Sequence, residues 1–300
     1  MLLVAALGNL PDKPAAELLR QFGDWSPFVR TQAAKALASQ GAGCVPQLLT
    51  ALQDKNPAVR RAATDALAEL CKPPGSGRKH PSPTDRGIIS AVTPLAKTLT
   101  DPDAWVRCGA AEALAEFGTA GNAAAPALFK ALGDPEPWVV ERAATALENV
   151  GVDGLDKRQL LPVLISLLKN PRSRIRMAAV KMLGQLGDDA RVATPQLLES
   201  VRQRCPDSMF GDGPRAEAAQ LLAKWKAPEA VTACLALITE QRWGRQYRCS
   251  RAIGILASIG PAAKEAVPAL EQVAADDKHA DLQKPARKAL AAIKGETKSR

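Results

Sequence analysis

Histidine is nearly missing from this sequence. The 300 residues contain two, His80 and His279, on different stretches of chain and with no acidic residue at helical spacing expected to orient either. That leaves no material for a Ser-His-Asp or Cys-His arrangement. Cysteine is sparse in pattern as well as in number: residues 44, 71, 108, 205, 234 and 249 form no C-x-x-C pair and have no histidine nearby. Neither a zinc site nor a disulfide framework is expected, and the thiols read as reduced groups of a cytoplasmic protein. No glycine-rich phosphate loop occurs. Aromatic residues make up only 4% of the chain, so a core must be built from small and aliphatic side chains, as close-packed helices are. The longest largely apolar stretch, residues 160–168, is far shorter than the roughly 20 residues that span a bilayer. The opening MLLVAALGNL has no basic segment before it and no clear cleavage site, which argues against a secretory signal. No catalytic, cofactor-binding or metal-ligating residue is expected from these absences.

What is abundant is repetition. Eight segments of eighteen residues align without a gap, starting at Asp24, Asp54, Asp101, Asp134, Asn170, Met209, Trp243 and Asp277. The tenth column is Ala in all eight, from Ala33 to Ala286, and the fourteenth is Leu in all eight, from Leu37 to Leu290. Columns six, ten, thirteen, fourteen and seventeen are mostly apolar and fall on one stripe of a helix with 3.6 residues per turn. Asp or Asn followed by Pro supplies a start signal, and Gly in column eighteen supplies a left-handed stop. Between these helices lie second amphipathic segments with Pro near their start, such as CVPQLLTAL and AAPALFKAL. Steps of 30 to 47 residues between copies are those of a solenoid of helical pairs. The expected fold is all-α: a right-handed α-α superhelix of about eight two-helix repeats occupying residues 1–300 as one array.

The pattern D-x-x-x-x-V-R-x-x-A-x-x-A-L-x-x-x-G resembles bacterial HEAT repeats, including the variant first described in phycobilin lyases, and the likeness covers nearly the whole chain. In that family the Asp and the Arg six residues on form a hydrogen-bonded ladder between repeats. The resemblance places it on Asp24 with Arg30, Asp54 with Arg60, and Asp101 with Arg107. Val140 stands in place of Arg in the fourth copy and Asn170 in place of Asp in the fifth; the seventh copy has neither, so packing there is expected to rest on Ala and Leu alone. Residues 1–10 match the second half of the motif, which reads as a partial repeat helix, and its apolar composition as a terminal cap suggests an upstream region or a partner. HEAT-repeat hydroxylases with a di-iron centre are similar in fold but use His-Glu pairs, and this chain has none.

Residues 72–87, KPPGSGRKHPSPTDRG, read as a flexible insertion, and residues 295–300 as a basic tail. The net charge of +9 permits an acidic protein, a nucleic acid or anionic lipid as partner. Exposed column twelve has mixed character, from Lys35 and Asp65 to Lys288, which makes no continuous track for a phosphate backbone. Column five stands out. It holds Phe28, Trp105, Trp138 and Tyr247, four of the eleven aromatic residues. Its stripe carries columns nine, twelve and sixteen and lies outside the core set. Rings there either cover the turn and pack on the next repeat or form a row of anchors for a partner, with Trp138 and Arg142 spaced for a cation–π pair. The expected function is a non-catalytic scaffold that binds a protein or peptide on the extended inner face of the solenoid, with Phe28, Trp105, Glu112, Glu116, Trp138, Arg142, Lys181, Tyr247 and Arg251 as candidate contacts. Two alternatives stand beside it: a lyase or isomerase subunit, which the resemblance to phycobilin-lyase repeats implies, and nucleic-acid binding through basic loops.

Overall fold

The structure is a computed structural model that describes residues 13–72, 86–203, 213–239 and 245–295, with no β-strand among them. The expected helix in residues 1–10, most of the 72–87 insertion and the tail beyond 295 lie outside the described residues. The chain divides into two compact units, residues 1–155 and 156–300.

The first unit contains α1 (Ala15–Gln21), α2 (Pro27–Ala38), α3 (Val45–Ala51), α4 (Pro57–Cys71), the short α5 (Arg86–Ile89), α6 (Val92–Thr98), α7 (Ala104–Glu116), α8 (Ala125–Ala131) and α9 (Pro137–Val150). The second contains α10 (Lys157–Leu167), α11 (Ser173–Leu186), α12 (Thr194–Arg202), α13 (Gly213–Lys224), α14 (Glu229–Thr239), α15 (Arg245–Ile259), α16 (Val267–Ala274) and α17 (Ala280–Lys294). Helices alternate between two layers. The eighteen-residue segments form the longer layer, α2, α4, α7 and α9 in one unit and α11, α13, α15 and α17 in the other.

Local chemistry sets the boundaries. The column-one acid is not itself the residue that caps the helix. Asp24, Asp54, Asp101, Asp134 and Asn170 each accept a hydrogen bond from the backbone N–H two residues on, an Asx turn that feeds the chain into the cap position. There Asn56 accepts from Ala58, and Asp103 accepts from Trp105 and Val106. At the other end, the column-eighteen glycines Gly41, Gly118, Gly151, Gly187 and Gly260 all have φ between +52° and +91°, a region open to Gly at little cost. In the sixth copy that column holds Lys226, the one described non-glycine residue with positive φ, at +55°.

Column seven ties these turns down. Arg30, Arg60, Arg107 and Arg176 each donate from Nη1 to the carbonyls of columns one and two of their own copy. The Asp to which the Arg carboxylate bond runs belongs to the next copy: Arg60 forks onto Asp101 at 2.7 and 2.8 Å, and Arg107 onto Asp134 at 2.7 and 2.9 Å. Each rung thus staples a turn and joins two repeats, with the bidentate geometry that only guanidinium provides. Burial favours the neutral Asp134 acid, but the bonds from Arg107 and from the Glu136 N–H outweigh it and hold the carboxyl below its usual range. Arg30 has the two carbonyl bonds but no ion pair with Asp54. In the seventh copy more than Ala and Leu is involved, because the column-seven thiol of Cys249 lies 3.7 Å from the Ile238 carbonyl.

The core is the stripe read from the sequence. Every column-ten Ala is fully buried, as is every column-fourteen Leu except the half-buried Leu290 of the last helix. Burial of each such Leu contributes about 2 kcal/mol, and the Ala column allows neighbouring helices to approach closely. Residues 249–274 are long and apolar enough to cross a membrane by length and composition. They form two helices, however, joined by a 3-10 segment that turns at Gly260 with φ +67°.

Candidate functional site

In the first unit, three consecutive long helices bring their outer columns together. Trp105 on α7 and Trp138 on α9 stack with centroids 5.6 Å apart and planes 21° from parallel. Arg61 on α4 sits 4.8 Å from the centre of the Trp105 ring, so the cation on an indole face comes from the preceding repeat. Arg142 lies instead against the Cys108 thiol, which burial raises above its ordinary value while Arg142 opposes the rise. Trp105 is held at the first turn by the Asp103 cap and remains 51% exposed. Around the stack, burial pushes the Asp65 carboxyl up, with Arg61 opposing and Glu112 adding to the push. Glu116 lies further along α7, where it faces Cys71 and Lys72. Phe28 and its neighbour Trp25 are exposed at the start of α2 and join no ring pair among the described residues. The side chain of Tyr247 lies outside the described residues.

The second unit brings two other candidates together. Lys181 on α11 and Arg251 on α15 line one cleft of about 880 Å³, with Glu217, Gln220 and Lys224 of α13 between them. Arg251 donates to Glu217 at 3.0 Å and to Gln220 at 2.7 Å. Sequence reading missed Gln220 and Glu217, and it missed the division of charge: residues 1–155 hold 15 Lys and Arg against 16 Asp and Glu, whereas 156–300 hold 25 against 15. The whole excess of positive charge belongs to the second unit. The signal was present in the sequence but becomes visible only once the unit boundary is known.

Burial pushes the thiols of Cys44, Cys71 and Cys234 up to about 11, 12 and 12, with nearby Glu116 adding to the rise at Cys71, so they stay protonated and weakly nucleophilic. No group of three or more metal-ligating side chains occurs among the described residues. His279 does have an acidic partner, contrary to the sequence reading: Asp276 lies 3.0 Å from its Nδ1 and caps the turn before α17.

A family profile of HEAT repeats matches residues 15–79, 77–148 and 144–209. The chain therefore belongs to the HEAT-repeat family. No curated protein matches it. Among solved structures, YibA of Escherichia coli is similar over 96% of both chains, with 18% identity and a TM-score of 0.65. The crystal structure of an engineered protein is similar over 96% of this chain and 83% of its own, with 22% identity and a TM-score of 0.58. At those identities the likeness is one of fold. Their coverage extends past residue 209, where the repeat sequence drifts.

Proposed function

We propose that this protein is a non-catalytic interaction scaffold that binds a protein partner on the exposed faces of its long helices. HEAT-repeat folds commonly serve as such scaffolds. The observation that carries the reading is the stack of Arg61, Trp105 and Trp138, in which the Trp105 ring is half-exposed. Trp and Arg are the side chains most enriched at interface hot spots, and here their rotamers are fixed before a partner arrives, which lowers the entropy lost on binding.

The test is capture of partners from native extract by the wild-type chain beside a Trp105→Ala, Trp138→Ala double variant, with circular dichroism confirming equal helicity. A specific partner lost only in the variant supports the reading. Equal capture assigns the rings to repeat packing.

A further inference from the structure

Glycine inside a helix costs up to about 1 kcal/mol relative to Ala, so each one needs a reason. For Gly109 on α7 the reason is steric: a Cβ there would sit 2.2 Å from the Thr64 hydroxyl. Gly254 on α15 has no such reason, because a Cβ would meet nothing within 4 Å. Its column, the twelfth, carries a longer side chain in every other copy. Gly184 on α11 is similarly unconstrained, its Cβ coming only to an ordinary 3.4 Å from Leu221. Both glycines line the 880 Å³ cleft of the second unit, and their missing side chains keep it open.

The lining has a definite chemistry. Val180, Leu221 and Ile255 supply an apolar floor, and Lys181, Lys224 and Arg251 face a single carboxylate among the described residues, Glu217. The surrounding unit has an excess of ten positive charges. Charge complementarity therefore calls for an anionic occupant with aliphatic groups. Among the described residues no aromatic ring lines the cleft to give nucleotide bases a stacking platform, whereas Gln220, whose carbonyl oxygen accepts from Arg251, has an amide NH2 suited to a peptide carbonyl. We infer that the cleft between α11, α13 and α15 is a docking groove for an acidic peptide segment that carries aliphatic side chains. The inference rests on the scaffold reading and specifies one segment of its partner.

The experiment is fluorescence anisotropy with the full chain and a fluorescein-labelled peptide of alternating Glu and Leu, beside its Lys-Leu counterpart and a single-stranded oligonucleotide. The Glu-Leu peptide is expected to bind best and to weaken about tenfold when Lys224→Glu reverses a wall charge or Gly254→Trp plugs the groove. Gly254→Ala, which leaves the groove open, is expected to bind as the native chain does. Lys224→Glu alters an exposed side chain and decides the matter if Gly254→Trp does not fold. Binding no tighter than the Lys-Leu peptide, or affinity unchanged by Lys224→Glu, overturns the inference; stronger binding of the oligonucleotide replaces it with a nucleic-acid groove. If the cleft variants still capture the extract partner while the peptide does not bind, the groove falls and the scaffold stands. If no partner is captured but peptide binding responds to Lys224→Glu, the scaffold reading is the one that fails.

Discussion

Residues 1–155 and 156–300 build their long helices on the same eighteen-residue frame, yet they present different surfaces. The first unit is nearly neutral, carries two bidentate Arg-to-Asp rungs, and fills its outer columns with an Arg-Trp-Trp stack. The second is strongly basic, replaces column-one and column-seven partners with Asn170 and Cys249, and leaves its long helices open at Gly184 and Gly254. The difference teaches which columns are constrained. Columns ten and fourteen are buried against neighbours and hold only Ala and Leu, whereas columns five, twelve and sixteen touch little core and are free to take on a partner's chemistry.

Substitutions that attack this contrast should act unequally. The largest effect is expected from Arg107→Ala, which strands the nearly buried Asp134 and frees a turn; a loss of about 3 kcal/mol in urea denaturation is expected, and a loss below 1 would remove the rungs from the stability of the first unit. Gly109→Ala forces a methyl onto Thr64 and should cost about 2 kcal/mol. The same change at Gly254 should stabilise by up to about 1 kcal/mol, because nothing obstructs the methyl and the helix gains propensity. Equal signs for the two would show that both glycines serve packing. Lys226→Gly relieves a left-handed lysine and should stabilise by about 1 kcal/mol, with slower amide exchange confined to α13 and α14, since repeat stability is local.

The smallest effect is in the acid range. The Asp134 carboxyl has a lower pKa folded than unfolded, so the stability it provides is complete above the ordinary carboxylate value of 3.8 and is lost as pH falls through the depressed folded value. Thermal melts from neutral pH down to about 3 should fall less steeply for Asp134→Asn than for the native chain; identical slopes would show that other carboxylates set the acid limit.

Much of this architecture was legible in the sequence. Ala33 to Ala286 and Leu37 to Leu290 recur at fixed columns, and such positions end up buried because a period of 3.6 places them on one stripe whatever the neighbouring repeat contains. Column-eighteen glycines predicted the left-handed turns for the same local reason, and even Lys226 kept that conformation where glycine was missing. The candidate contacts were less legible. Trp105 and Trp138 share a column, but the cation above Trp105 is Arg61 from another repeat rather than the Arg142 that helical spacing offered.

The sequence by itself determined the helices, their ends and their buried faces, because propensity, periodicity and turn chemistry act within about eighteen residues. Only the tertiary structure decided which Asp each Arg grips, which rings meet, and that Lys181 and Arg251, 70 positions apart in the chain, line one cleft. Those pairings depend on how one repeat is set against the next, a geometry fixed by packing across helices rather than along them.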